Sequence, residues 1–172
     1  MALRRRFTAS ARVSIPCSTS IELRCSLPSK VALISSFVDN FISLLTTLGC
    51  IPGSEGHVEI ALREALNNAA VHGNHEDPTK CVGVRCRSES GDVSIDIRDG
   101  GIGFDVESVP DPTVPENIFA PHGRGIYLMK TLMDEVRFEE GGTLVRMRKR
   151  ATLAEPSIPR SRAVVAPIER GR

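Results

Sequence analysis

The sequence predicts an α+β fold in which helices cover one face of a largely antiparallel sheet. The order of the expected elements is strand, helix, helix, strand, strand, loop, helix, strand, strand. Hydrophobic residues make up 41% of the chain and charged residues 25%, which is typical of a globular domain. With 172 residues, the chain has room for one hydrophobic core and two short tails.

The body of the chain is expected to span residues 20–150. Residues 1–19 are rich in Arg and Ser and lack acids, and residues 151–172 are rich in Pro and Arg without periodicity, so both are predicted to be disordered tails. A transit peptide is the alternative for the first tail. Polar side chains interrupt the longest apolar region, Val31 to Leu48, so no membrane span is predicted.

Charge and cysteine usage exclude several classes of protein. The two tails hold eight of the 22 basic and two of the 21 acidic side chains, so residues 21–150 carry a net charge of −5. An acidic body argues against direct binding to nucleic acid. The five cysteines form no C-x-x-C pair and are odd in number, which predicts free thiols in a reducing cytoplasm, without a zinc site or a disulfide framework.

The first half of the body is predicted to contain one strand and two helices. Apolar and polar residues alternate over residues 20–27, which indicates a half-buried strand ended by Pro28. Ser29 is expected to cap a helix from about Lys30 to Leu48. Apolar residues at helical spacing predict a second helix from about Ser54 to Val71.

The second half is predicted to contain four strands and one helix. The strands are expected at residues 80–88, 92–99, 135–140 and 143–150, and the helix at residues 123–133. A hairpin turn is expected at Ser90 and Gly91. About 17 residues rich in Pro, Asp and Glu, from Asp105 to Pro121, separate the two strand pairs, and a loop of this length is typical of a functional lid.

Three polar side chains of the second predicted helix form the first candidate site. Glu64, Asn68 and His72 are spaced i, i+4 and i+8 and therefore share one face. A carboxamide oxygen is a suitable ligand for Mg²⁺, and a carboxylate one turn away could orient or deprotonate a hydroxyl group. A solvated helix face is the alternative interpretation.

The second candidate site follows a predicted strand, at residues 99–104. Glycines at positions 100, 101 and 103 permit a turn with positive φ and a close approach to a ligand. Asp99 could accept a hydrogen bond from an exocyclic amine such as that of adenine. The alternative is an acidic hairpin turn.

The third candidate site is the glycine-flanked start of a helix. Unpaired N–H groups near Gly123 and Gly125 and the positive end of the helix dipole favour phosphate, and Arg124 adds a bidentate donor. Residues 105–121 contain no Lys or Arg, so Arg124 is the nearest basic candidate. Small residues for close packing are the alternative. The chain contains neither a P-loop nor a G-x-G-x-x-G motif.

Together the three clusters resemble the GHKL ATPases, and most closely the anti-sigma-factor serine kinases. The N box corresponds to residues 64–74, the two glycine boxes to residues 99–104 and 122–129, and a closing Gly142-Thr143 lies on the last hairpin. The resemblance covers residues 20–150. It implies a Bergerat-type two-layer α/β sandwich, with a mostly antiparallel mixed sheet, helices on one face, and ATP held between helix and sheet under a mobile lid.

The resemblance also implies a role for each of nine residues. Glu64 would be the catalytic base and Asn68 the ligand of Mg²⁺. The remaining seven would bind ATP: Asp99 and Thr143 at adenine, Gly101 and Gly103 in the turn beneath the nucleotide, and Gly123, Arg124 and Gly125 at the phosphates.

The implied function is that of an ATP-dependent protein-serine kinase that acts as an anti-sigma factor. It would phosphorylate a serine of a STAS-type anti-anti-sigma protein, sequester a sigma factor and form a homodimer in the cytoplasm, without direct binding to nucleic acid or membrane. A nucleotide-dependent binding module without phosphoryl transfer stays open, because the same boxes would serve it. The catalytic domain of a sensor histidine kinase is disfavoured, since 20 upstream residues cannot form a phospho-acceptor hairpin.

Overall fold

The computed structural model describes residues 20–89, 92–110, 112–117 and 123–150. The two predicted tails, the predicted turn at Ser90 and Gly91, and His122 of the second glycine box lie outside the described residues. Within the described part, the positions of the strands and helices agree with the predictions to within a few residues. The exceptions are the cap of the first helix and the end of the second, and both involve polar side chains.

Five strands form one sheet, and each of its four pairings is antiparallel. The strands are β1 (Ser20–Pro28), β2 (Cys81–Glu89), β3 (Asp92–Arg98), β4 (Glu135–Glu139) and β5 (Leu144–Lys149). Their order across the sheet is β1-β2-β3-β5-β4, so β5 lies between β3 and β4. The predicted α+β class is confirmed.

The described residues form three α-helices: α1 (Val31–Thr47), α2 (Glu55–Asn67) and α3 (Arg124–Leu132). Among the described residues, no helix is both long enough and apolar enough to cross a membrane. The predicted lid contains two short 3₁₀ turns, Val106–Ser108 and Pro115–Asn117.

The hydrophobic core lies between the helices and one face of the sheet, because alternate residues of each strand point to that face. β2 and β3 alternate buried with more exposed side chains along their whole length. The core side chains that are fully buried include Leu62, Leu66, Val82, Val93, Ile95 and Ile97. The opposite face carries charged pairs such as Arg146 with Asp96 and Arg148 with Asp92. Cys25, Cys50, Cys81 and Cys86 are free thiols.

The prediction that Ser29 caps α1 is wrong. The helix is capped at Lys30 without a side-chain hydrogen bond. Ser29 is fully buried, and its hydroxyl oxygen accepts a hydrogen bond from Asn74 Nδ2 at 2.6 Å. A partner 45 residues away thus replaces the local cap. Pro28 is the last residue of β1, and a proline is tolerated there because β1 is an edge strand.

The second predicted helix is α-helical only as far as Asn67. Residues Asn68–Gly73 continue it as a π-helix. The N–H of Asn74 donates to the carbonyl of Ala69, and the N–H of Glu76 donates to the carbonyl of Ala70, both at 2.8 Å. These longer-range bonds widen the helix at the point where the N box lies, and π-helical turns are often found at functional sites.

Candidate functional site

A cleft of about 500 Å³ opens between the C-terminal part of α2, the end of β3 and the start of α3. Seven of the nine predicted site residues line it: Glu64, Asn68, Asp99, Gly103, Gly123, Arg124 and Gly125. His72, the third member of the predicted helix cluster, lines it as well. Gly101 and Thr143 are not among the lining residues. The structure therefore brings together predicted site residues that lie up to 61 positions apart in the chain.

We call the part of the cleft around the first glycine box the Asp99 end. The N–H of Asp99 donates to the carbonyl of Thr143 at 3.1 Å, and its Oδ1 accepts from the N–H of Gly101 at 2.8 Å. Burial raises the pKa of the Asp99 carboxyl, against the opposing effects of the Gly101 N–H and the positive charges of Lys80 and Arg98. A half-buried carboxylate is thus held in one orientation at the cleft wall.

The glycines of this turn are required for two different reasons. Gly103 has a φ of 77°, and a Cβ there would lie 2.0 Å from the carbonyl oxygen of Gly141. Gly101 does not have a positive φ, but a Cβ there would lie 2.2 Å from the carbonyl oxygen of Gly73. The predicted positive φ is therefore found at Gly103 and not at Gly101. Both glycines permit a close approach, but to protein backbone and not to a ligand.

Thr143 supports the Asp99 end from outside the cleft. Its carbonyl accepts the hydrogen bond from Asp99, and its hydroxyl donates to the carbonyl of Glu140 at 3.0 Å. The predicted contact of Thr143 with adenine is not tested by this geometry and stays a prediction.

We call the opposite part of the cleft the Gly125 end. A Cβ on Gly125 would lie 2.7 Å from Glu64 Oε2 and 3.6 Å from the side-chain atoms of Asn68. Gly123, with a φ of 97°, precedes the helix and lies against the carbonyl of Pro110. The start of α3 therefore sits directly over the carboxylate and the carboxamide, and its first N–H groups have no partner within the helix.

This arrangement fits a magnesium–phosphate group better than a metal held by protein alone. Glu64 and Asn68 present oxygen atoms beside the helix start, and oxygen is the ligand that Mg²⁺ prefers. Among the described residues there is no group of three or more His, Cys, Asp or Glu side chains that could hold a metal ion. Phosphate and water are the usual further ligands of Mg²⁺ in proteins.

The apolar walls of the cleft were not predicted from the sequence. They are formed by Ala69, Ile97, Ile126, Phe138 and Val145. Phe104 also lines the cleft and contacts Phe138 edge to face, with ring centroids 5.8 Å apart. The signal that could have identified Ile97 is its position two residues before Asp99, on the core-facing side of β3. An apolar wall next to a carboxylate suits a heteroaromatic base that carries an amine.

Comparison with known proteins gives an independent result. The family model described as a histidine kinase-like ATPase domain matches residues 27–149. An anti-sigma F factor of Geobacillus stearothermophilus is 34% identical over 99 residues, which is 54% of this chain and 66% of the relative. An anti-sigma F factor of Heyndrickxia coagulans is 35% identical over 103 residues, or 55% of this chain and 69% of the relative.

A third relative is named as an enzyme. The serine-protein kinase RsbW of Bacillus licheniformis is 36% identical over 101 residues, which is 54% of this chain and 62% of the relative. The chain thus spans about two thirds of the length of the curated relatives that it matches. The family resemblance that the three sequence clusters indicated is confirmed by these matches.

Proposed function

Since the chain belongs to the histidine kinase-like ATPase domain family, we propose that it is an ATP-dependent protein-serine kinase that acts as an anti-sigma factor. The observation that carries the proposal is the position of the Glu64 carboxylate, directly beside Gly125 at the start of α3 and in the same cleft as Asp99. A module that only binds nucleotide has no need of a carboxylate at this place. The names of the relatives in the anti-sigma F and serine-protein kinase groups support the same assignment.

In the proposed complex, ATP lies along the cleft with its base at the Asp99 end. The carboxylate of Asp99 accepts a hydrogen bond from the exocyclic amine, and a bond to a charged acceptor contributes about 1.5–3 kcal/mol. The apolar walls around Ile97 and Val145 cover the faces of the ring. The turn with Gly101 and Gly103 lies beneath the nucleotide in this proposal, packed against the backbone of Gly73 and Gly141. Thr143 supports Asp99 from behind.

The phosphates lie at the Gly125 end in this proposal. The first N–H groups of α3 and the guanidinium of Arg124 act as donors to phosphate oxygens. Asn68 would hold Mg²⁺, which when bound neutralises charge on the phosphates. Glu64 accepts the proton of the acceptor serine hydroxyl as its oxygen bonds to the terminal phosphorus, and the bond from that phosphorus to ADP breaks.

The proposed partners follow from the family and the relatives. The acceptor serine belongs to a STAS-type anti-anti-sigma protein, and the protein sequesters a sigma factor when that partner is phosphorylated. The chain acts as a homodimer in the cytoplasm and binds neither nucleic acid nor membrane. The sigma-factor partner is supported by the name of the anti-sigma F factors to which the chain is similar, and the other assignments are supported by the family resemblance alone.

The proposal is tested first by calorimetry with Mg-ATP on wild type, Asp99→Asn and Asn68→Ala. We expect wild type to bind, and both substitutions to weaken binding by tenfold or more, because each removes a charged or metal-mediated contact. Asp96→Asn is the matched control: Asp96 lies three residues earlier on β3 and pairs with Arg146 on the opposite face of the sheet. Binding that is equal in all four proteins would overturn the nucleotide site.

Phosphoryl transfer is tested with γ-labelled ATP and a STAS-type protein from the same genome. Label on a serine of that protein, lost when the serine is changed to alanine, is the expected result. A wild-type chain that binds Mg-ATP but labels no STAS-type partner would instead support the nucleotide-dependent binding module.

A further inference from the structure

Asn74 lies directly behind the Asp99 end of the cleft, at the end of the π-helical segment. Its side chain is fully buried and makes three hydrogen bonds. Nδ2 donates to Ser29 Oγ at 2.6 Å and to the carbonyl of Cys81 at 3.2 Å, and Oδ1 accepts from the N–H of Gly100 at 2.8 Å. One side chain thus joins the loop before α1, the start of β2 and the first glycine box.

The bond to Gly100 controls the peptide that follows Asp99. The N–H of Asp99 donates to Thr143 and the N–H of Gly101 donates to the carboxylate of Asp99. The N–H between them, that of Gly100, is held by Asn74. All three consecutive backbone N–H groups therefore have a hydrogen-bond partner. Of these three partners, only Asn74 is a side chain from a distant part of the chain.

The backbone before Asn74 is also in direct contact with the carboxylate. A Cβ on Gly73 would lie 2.4–2.6 Å from the carboxylate atoms of Asp99, so the two are as close as a glycine permits. The chain then leaves Asn74 through His75 and Glu76, whose φ values of 55° and 51° are uncommon for residues other than glycine. Such a turn persists only where surrounding contacts hold it, and the buried bonds of Asn74 are such contacts.

We infer that Asn74 is a positioning residue for base selection: it holds the 99–100 peptide so that the Asp99 carboxylate faces the 6-amino group of adenine and rejects a 6-oxo purine. The inference rests on the proposed function, because it assigns the base to the Asp99 end. A 6-oxo group would place an oxygen against the carboxylate, so discrimination depends on where that carboxylate is held. A shift of the 99–100 peptide reduces discrimination without removing any atom that touches the nucleotide.

A purely structural role of Asn74 makes a different prediction. In that case its removal would lower the stability of the fold and weaken all nucleotides equally. Ser29→Ala provides the matched control, because it removes a bond to the same buried side chain while the bond between Oδ1 and Gly100 remains. Asn74→Asp is the conservative variant, because its carboxylate keeps an acceptor for the Gly100 N–H.

The experiment measures the dissociation constants of ATP and of inosine triphosphate by calorimetry with Mg²⁺, on the full chain. We expect wild type to prefer ATP and Asn74→Ala to lose about tenfold or more of that preference, which is the lower end of the effect of a bond to a charged acceptor. The preference should stay within about twofold of wild type in Ser29→Ala and recover in part in Asn74→Asp. Thermal unfolding of each variant reports its stability separately.

An Asn74→Ala preference equal to that of wild type would overturn the inference, as would an equal loss of preference in Ser29→Ala. If Asn74→Ala does not fold, Asn74→Ser takes its place, because the shorter side chain also leaves Gly100 without its acceptor. A wild-type chain that binds neither nucleotide overturns the proposed function and this inference together. A selective wild type with an unaffected Asn74→Ala variant overturns only the inference.

Discussion

The two ends of the cleft are built in different ways. At the Asp99 end, hydrogen bonds from Asn74, Thr143 and Gly101 hold the backbone and the carboxylate. At the Gly125 end, a helix that begins at a left-handed glycine lies against Glu64, and Arg124 is exposed. The predicted lid, residues 105–121, contains no Lys or Arg.

This difference predicts that selection of the base and phosphoryl transfer depend on different ends of the cleft. A preorganised carboxylate can select a base without rearrangement. In the proposed complex, Mg²⁺ would supply the additional positive charge for the phosphates at the Gly125 end. Substitutions at the Asp99 end should therefore change affinity and base preference, and substitutions at Glu64 should change the rate of transfer.

The largest expected effect is that of Glu64→Gln on phosphoryl transfer. Loss of a general base reduces the rate by about 10²–10⁴-fold. ATP affinity should stay within about threefold of wild type, because glutamine keeps the size of the side chain and the base is bound at the other end. Labelling of the STAS-type partner gives the rate, and calorimetry gives the affinity.

Glu59→Gln is the control for this measurement. Glu59 lies on the same helix and pairs with Arg63 near the surface, so its substitution should leave transfer unchanged. Transfer by Glu64→Gln at the wild-type rate would show that the carboxylate does not act as the base.

The next effect concerns the glycine turn at the Asp99 end. Gly103→Ala should destabilise the fold by more than Gly53→Ala, although both glycines have similar φ values of 77° and 71°. A left-handed alanine costs about 1–2 kcal/mol at either position. Only at Gly103 would the added Cβ also overlap a backbone carbonyl, whereas at Gly53 nothing lies within 4 Å.

Urea unfolding of the two variants checks this comparison. Equal losses in the free energy of unfolding would mean that the Gly103 turn moves away from Gly141 at no cost. In that case the Asp99 end would be more adaptable than its hydrogen bonds indicate.

The strands, the helices and the glycine-containing turns could be predicted from the sequence because their signals are local. Alternation of apolar residues indicates β2 and β3, and a glycine before an apolar helical run indicates the start of α3. The same local logic explains the error at Ser29. A serine before a helix is expected to cap it, but here a buried amide from residue 74 binds the hydroxyl instead.

The part of the site that could not be predicted depends on contacts between distant residues. The change from α- to π-helix at Asn68 has no signal in spacing, because residues 64, 68 and 72 fit an ordinary helix equally well. The role of Asn74 depends on Ser29, Cys81 and Gly100, which come together only when the sheet forms. The apolar walls of the cleft come from five different segments and look like ordinary core residues in the sequence.

The smallest expected effect is that of Asp99→Asn on the stability of the nucleotide-free chain. Burial raises the pKa of Asp99 in the folded state, so the folded chain holds this proton more tightly than the unfolded chain. The stabilisation exists below the ordinary pKa of an aspartate and is lost as the pH rises through the raised value. At pH 7 the carboxylate therefore opposes folding, and a neutral asparagine of the same shape should raise Tm.

The rise should be smaller than the 2–4 °C that about 1 kcal/mol produces in a chain of this size, and it should shrink as the pH falls from 7 toward 4. Calorimetric scans at both pH values measure it. Asp96→Asn should behave oppositely at pH 7, because it removes the ion pair with Arg146 and gains nothing. If Asp99→Asn instead lowers Tm at pH 7, the carboxylate contributes to the fold. A variant that is more stable and binds ATP less tightly would show that the charge of Asp99 is retained for its ligand at a cost in stability.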